Sequence, residues 1–308
     1  MALTDTLADY FGFEEHGADM RTEVLAGLTT FLTMSYIVVV NPSIMGGIPV
    51  RDGHPAVTVA GYSTGQVVQM LAVVTILSAA IAIFVMAFYA NRPFGLAPGL
   101  GLNAFFAFTV VGALGIPWQT ALAAVVVEGI IFILLTAAGA REYIIGLFPT
   151  PVKFAVGTGI GAFLAIIGLI EMDIVVGSPA TLVTLNPGLV SDPVALLSVL
   201  GLFLTLALHA RGVRGSIIIG ILLTAAAGWA ATVAGVVPAG TLAPESLPAA
   251  QYDITPLAGA FVSGFANVEA FTFALVVFTF FFVDFFDTAG TLTGVSQIAG
   301  FLDEEGDL

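Results

Sequence analysis

FTFALVVFTFFFVDFFDTAGTLTGVSQIAG, residues 271–300, decides how the rest of the chain is read. Eight phenylalanines stand between Phe271 and Phe286, and the run is long enough to cross a bilayer, which takes about 20 apolar residues. Into it the sequence sets Asp284 and Asp287. Positions three apart lie on one helix face, with Cβ atoms about 5–6 Å apart. An acid at mid-membrane costs about 2.5–3.5 kcal/mol on insertion scales, so two facing lipid would undo much of what the phenylalanines gain. They must face protein or a wet cavity. The TAGTLTG that follows, with Thr288, Gly290, Thr291, Thr293 and Gly294, suits close helix packing and a local break.

The composition extends that reading to the whole chain. Of its residues 58% are hydrophobic and 9% charged, against roughly 25% charged in soluble domains. Without cysteine there is no disulfide, no thiolate nucleophile and no Cys-type metal site, and three scattered histidines make no zinc motif. No metal or cofactor is expected. The net charge of −14 resides almost wholly in tails and loops, which fits strongly acidic solvated surfaces rather than attraction to nucleic acid. The first 20 residues lack the basic start and apolar run of a signal peptide.

Outward from the opening stretch, hydropathy marks eight segments. Residues 1–23 form a tail with a short amphipathic piece at 7–13. Spans follow at 24–45, ending at Asn41-Pro42-Ser43, where proline stops or kinks a helix, and at 65–89. Residues 95–115, GLAPGLGLNAFFAFTVVGALG, are apolar but too rich in Gly and Pro for an unbroken helix, and read as a broken third span. The fourth, 118–138, carries Glu128 near its middle. An amphipathic connector at 141–153 leads to spans at 154–170, 193–209 and 216–236, and the eighth is the opening stretch. With the N-terminus inside and every segment crossing, Arg21, Arg92, Arg141, Lys153, Arg211 and Arg214 fall on the cytoplasmic side and only Arg51 outside. That bias agrees with the positive-inside rule and with counting the third segment as a crossing.

Ionisable residues within spans are functional candidates. Asp284 and Asp287 make a pair able to hold a proton and couple its movement to substrate binding. Glu128 either joins them or only hydrogen-bonds a neighbouring helix. The third segment, interrupted at Pro98, Gly99 and Gly101, either lines a cavity with exposed backbone groups or packs as a tight glycine-rich helix. Asn103 there can both donate and accept. Its lone G-x-G has no strand, basic residue or Walker lysine beside it to read as a phosphate loop.

Four blocks carry a resemblance: FGFEEHGADMRTEVLAGLTTFLTMSYIVVVNPSIM at 11–45, GLAPGLGLNAFFAFTVV at 95–111, AVVVEGIIFILLT at 124–136 and FVDFFDTAGTLTGV at 282–295. Together they resemble the AzgA-like purine permeases of the nucleobase/cation symporter-2 family. The resemblance implies secondary active uptake of adenine, guanine and hypoxanthine with protons. It also implies an all-α polytopic fold of two inverted seven-span repeats, with a short strand in the third and tenth spans meeting at the substrate site. On that pattern residues 24–139 and 271–300 are core-domain spans and 140–236 gate-domain spans. Residues 1–23 are a cytoplasmic tail, 237–270 an extracellular loop and 301–308 a cytoplasmic end. Asp284 matches the acid that contacts the nucleobase, and Asn103 and Phe105 complete the expected substrate contacts. Asp287, Glu128 and Thr288 are the expected proton-coupling or supporting residues. A multi-pass protein of the plasma membrane follows, not an enzyme, with purine, proton and lipid as partners and homodimerisation through the gate domain. The chain stops after its eighth span and so reads as a C-terminally truncated permease, expected to show no uptake alone.

Other readings are an anion carrier of the same broad fold and a structural half that pairs with a separate C-terminal partner. Against an anion carrier, the spans contain acids and no intramembrane Arg or Lys. An intramembrane aspartyl protease needs its acids on two helices and a GxGD motif, which is absent.

Overall fold

The structure, a computed structural model, describes residues 3–140, 150–178, 181–243, 249–266 and 268–300. In chain order it comprises α1 (Leu3–Tyr10), α2 (Phe13–His16), α3 (Met20–Met34), α4 (Ile37–Gly46), a hairpin of β1 (Pro49–Arg51) and β2 (His54–Pro55), α5 (Thr64–Phe88), α6 (Leu100–Ala104), a π-helix π1 (Phe105–Ala113), α7 (Trp118–Ala137), α8 (Thr150–Glu171), a hairpin of β3 (Val175–Ser178) and β4 (Leu182–Leu185), α9 (Pro193–Ala210), α10 (Ser216–Val233), α11 (Phe261–Gly264) and α12 (Ala270–Ala299). Among the described residues six helical stretches are long and apolar enough to cross a membrane, and Leu100–Ala113 and Gly161–Glu171 are shorter apolar helices. These are the eight expected segments, and the fold is that of an all-α polytopic membrane protein. The basic connector at 141–153 falls largely outside the described residues.

Three expectations change. Pro42 does not stop its helix. It sits inside α4, and the interruption lies a turn or more upstream at Ser35–Tyr36, where Val38 and Val39 donate to the carbonyls of Ser35 and Tyr36 at 3.2 and 3.0 Å in tightened three-residue turns. Proline lacks the N–H that would bond Val38, and its ring crowds that carbonyl. Nor does the third segment contain a strand. Residues 91–99 are irregular chain, and a strand needs a ladder partner, which none of the described residues provides. The helix begins only at Leu100, so of the two readings of this segment the interrupted one holds. Its second part winds as a π-helix, Leu114 donating to the carbonyl of Thr109 at 2.9 Å. Thirdly, the connecting loops carry structure of their own: Asp52-Gly53, both at positive φ, close the β1–β2 hairpin as an Asp-Gly turn does, and the loop after α8 folds into β3–β4.

The chain divides into two compact units. The first comprises Met1–Val40, Val74–Pro98 and Leu169–Pro248. Its centre is the antiparallel pair α9–α10, where Gly201 stands against Thr224 and Gly220 against Thr205. Each threonine hydroxyl donates back along its own helix, Thr205 to the Gly201 carbonyl at 2.8 Å and Thr224 to that of Gly220 at 2.7 Å. Small residues bring the helices close, as membrane interiors require where apolar burial gives no driving force. The N-terminal α1 is pinned by Tyr10, whose hydroxyl donates to the Phe88 carbonyl at 2.6 Å, within an aromatic cluster of Tyr10, Phe11, Phe84 and Phe88.

The second unit comprises Asn41–Val73, Gly99–Gly168 and Ala249–Leu308. Here α7 and α12 pack together. Both present small or polar faces inward and bulky apolar faces outward: α7 buries Ala121, Ala124 and Glu128 while Ile133 and Leu134 are 68% and 64% exposed. On α12 the phenylalanine run splits. Phe271, Phe278 and Phe282 are exposed, whereas Phe280 and Phe285 are buried. Positions 280, 284 and 287 recur at helical spacing on the side away from the exposed rings, so both aspartates face protein as the sequence requires. The small helix α11 is laid against the start of α7 so closely that a Cβ on Gly264 would overlap the Gln119 backbone.

Candidate functional site

All six residues expected at the site lie in the second unit. Asp284 and Asp287 leave the same side of α12 but have separate surroundings. Each has a threonine one turn on: the Thr288 hydroxyl meets Asp284 Oδ1 and that of Thr291 meets Asp287 Oδ1, both at 3.4 Å. The i, i+4 spacing of the two Asp–Thr pairs is legible in DFFDTAGT, although only Thr288 is singled out by the sequence reading.

The acid that Asp284 meets is Glu128, not Asp287. Glu128 is 5% exposed, and its carboxyl lies in the electrostatic field of that of Asp284 across the α7–α12 contact. Its Oε1 is shut off from solvent without a hydrogen-bond partner among the described residues. One turn beyond Glu128, Phe132 packs on Phe281, one turn before Asp284, with ring centroids 6.2 Å apart. Toward the helix starts, Thr120 shares a cavity of about 150 Å³ with Thr272, Phe273 and Val276. The meeting of the helix starts at this cavity, with Phe132 on Phe281 farther along both, makes α7 and α12 parallel. Of the two roles left open for Glu128, the structure thus gives it a partner, and that partner is an acid.

Asp287 faces the interrupted third segment. A Cβ built on Gly99, the residue before α6, would stand 2.9 Å from Asp287 Oδ2. The close approach of backbone to carboxylate needs glycine at that position. Gly101, two residues on, has open space around it.

Asn103, half-buried on α6, donates from Nδ2 to Oδ1 of Asn41 on α4. Asn41 is 8% exposed and had no place in the sequence reading. Its signal was the polar residue of the Asn-Pro pair inside an apolar span, there taken only as a helix-stop mark. Phe105, the first residue of π1, is half-buried and meets Phe280 edge to face at 5.3 Å. Because Phe280 is fully packed, the ring of Phe105 is held in a fixed attitude one turn of α12 away from Asp284.

The arrangement thus joins α6, π1, α7 and α12 around three carboxyls, an amide, a threonine hydroxyl and a ring. It can accept hydrogen bonds from a polar solute and offer a flat apolar face. No group of His, Cys, Asp and Glu suited to a metal occurs among the described residues. The first unit has a larger cavity of about 500 Å³, between α3, α5 and residues 92–97. Its walls are apolar apart from Glu23, Thr30, Ser35 and Arg92, and it has neither an amide nor a pair of acids to orient a polar solute.

Comparison with known proteins bears on this geometry. The profile of the Permease family, which groups xanthine/uracil permeases, matches residues 21–306. A putative permease of Methanocaldococcus jannaschii is 41% identical over 97% of this chain and 62% of its own length. The guanine/hypoxanthine permease PbuG of Bacillus subtilis is 40% identical over 96% of this chain and 63% of its own. The adenine permease AdeP of Escherichia coli is 38% identical over 96% and 60%. The chain spans about three fifths of the length of these curated relatives.

Proposed function

Because the chain belongs to the xanthine/uracil permease family, we propose that it serves a secondary active transporter for purine nucleobases, with substrate held in the second unit at Asp284, Asn103 and Phe105. The observation that carries the proposal is the convergence of these residues from α6, π1 and α12, in a chain similar to adenine and guanine/hypoxanthine permeases. The chemistry is complementary. A purine has ring or exocyclic N–H groups for a carboxylate, ring nitrogens for backbone N–H groups at the interrupted segment, and a flat face for Phe105.

Coupling is to protons. Glu128 and Asp284, two acids in each other's field, hold one proton between them, because two ionised carboxylates so placed repel. When the substrate N–H takes its place on Asp284, that proton moves with Glu128, supported by Thr288, while Asp287 holds the Gly99 turn. One charge moved across the membrane draws on about 2.3 kcal/mol per 100 mV, enough to concentrate a neutral base. In this reading the protein is a multi-pass component of the plasma membrane with its N-terminus in the cytoplasm, as the arginine distribution favours. Spans one to four and eight form the core that carries the site, spans five to seven the gate that pairs in a homodimer.

The test is uptake of labelled hypoxanthine and adenine in a host without its own purine permeases, using the complete gene product with and without Asp284→Asn. Accumulation that collapses with the proton gradient and is lost in Asp284→Asn supports the proposal. A well-expressed protein that moves no purine overturns the substrate class.

A further inference from the structure

Asn41 stands outside the proposed contacts, yet it determines what one of them can do. It lies in α4 immediately before Pro42, and Asn41, Pro42 and Ile44 are all buried, so its side chain projects from a packed turn and not from a loop. Its Oδ1 accepts from Asn103 Nδ2. An asparagine amide has two unlike prongs, a nitrogen that donates and an oxygen that only accepts. With the nitrogen committed to Asn41, the oxygen of Asn103 is turned to the other side, and it accepts no hydrogen bond among the described residues.

We infer that Asn41 is a specificity-determining residue: by holding the Asn103 nitrogen it makes Asn103 a hydrogen-bond acceptor toward the substrate, so that this position reads an N–H of the base and rejects a ring nitrogen. The inference rests on the purine reading above. Without the Asn41 oxygen the Asn103 amide is free to turn over and offer either prong. A base with a donor and one with an acceptor at the matching edge are then received about equally. A site built around a buried polar group discriminates strongly only while that group has one orientation.

The experiment is competition for labelled purine uptake by a series of purine analogues, each lacking one N–H, on the complete gene product carrying Asn41→Ala or Asn41→Asp. In the unaltered protein one analogue is a poor competitor. In Asn41→Ala that analogue should gain on its parent by about tenfold, the discrimination carried by one neutral hydrogen bond, with KM for the parent raised and maximal rate little changed. Asn41→Asp, which still accepts from Asn103, should keep the original ranking. If Asn41 merely ties α4 to α6, Asn41→Ala lowers the amount of protein and the maximal rate but leaves the ranking intact, and the inference is wrong. Should Asn41→Ala fail to reach the membrane, Asn41→Asp decides alone, since a changed ranking there also overturns it. Absence of purine uptake by the unaltered protein would instead sink the functional reading itself.

Discussion

Gly99 and Asp287 meet so closely that the space a side chain would need on the one is the space the carboxylate of the other fills: a Cβ on Gly99 would stand 2.9 Å from Asp287 Oδ2. This approach, with the contact of Phe105 on Phe280, sets the register of the interrupted third span against the acidic eighth. Gly99→Ala must displace Asp287 or the turn before α6, and misplacement of a binding group by a fraction of an ångström to 1 Å costs about tenfold to a hundredfold. Purine uptake should fall by that factor at unchanged surface expression. Gly101→Ala, with nothing within 4 Å of its new methyl, should leave uptake unchanged and serves as the control.

The two acids that meet across α7 and α12 should differ in what their loss removes. Glu128→Gln keeps a donor and an acceptor opposite Asp284 but no exchangeable proton. Gradient-driven accumulation should drop about tenfold to a hundredfold, the range for a charge-assisted hydrogen bond, while exchange of labelled for unlabelled purine at equal pH persists. Asp284→Asn should abolish both. Equal loss of both activities in Glu128→Gln would reduce Glu128 to a packing role.

In the first unit the reciprocal Gly201–Thr224 and Gly220–Thr205 contacts leave no room for a methyl at either glycine. Gly201→Ala should destabilise the α9–α10 pair by about 1–3 kcal/mol, the usual cost of overpacking, seen as a lower melting temperature of the purified protein in detergent. Removing the opposing bulk in Gly201→Ala/Thr224→Ala should restore most of it. Failure of that rescue would mean that the helices do not meet at these residues.

Glu269 caps α12, accepting from the backbone N–H of Thr272 at 2.6 Å and of Phe271 at 3.2 Å. Its bonds to Thr272, foremost, and to Phe271 hold its carboxyl below the ordinary glutamate range. Asp19, at the start of α3, is lowered chiefly by its bond to the backbone of Thr22. Groups lowered by folding stabilise the folded state above their unfolded values, and that stability is lost as pH falls through the folded values. Melting temperature should therefore be flat from neutrality to about pH 5 and decline below it. Glu269→Gln should lower the plateau and flatten the decline.

Much of the fold was legible because hydropathy has a length scale. The second and fourth spans, expected at 65–89 and 118–138, are observed at Thr64–Phe88 and Trp118–Ala137. What hydropathy lacks is a partner. That Glu128 meets Asp284 and Asn41 meets Asn103 depends on which helices become neighbours, and nothing in either local sequence encodes the distance to the other. The Asp-Gly turn at 52–53 is a local signal of a kind that hydropathy does not register. Pro42 misled for the opposite reason, since a proline within a membrane helix can be tolerated when neighbouring backbone groups readjust around it.

The parallel run of α7 and α12 has an electrostatic consequence. Peptide dipoles in the two helices point the same way, so about half a positive charge accumulates at the start of each, Trp118 and Ala270, side by side, and these repel. Antiparallel neighbours cancel such fields; parallel ones need a counter-ion. Glu269 lines the same small cavity as Pro117 at the head of α7, which sets one carboxylate beside both positive ends.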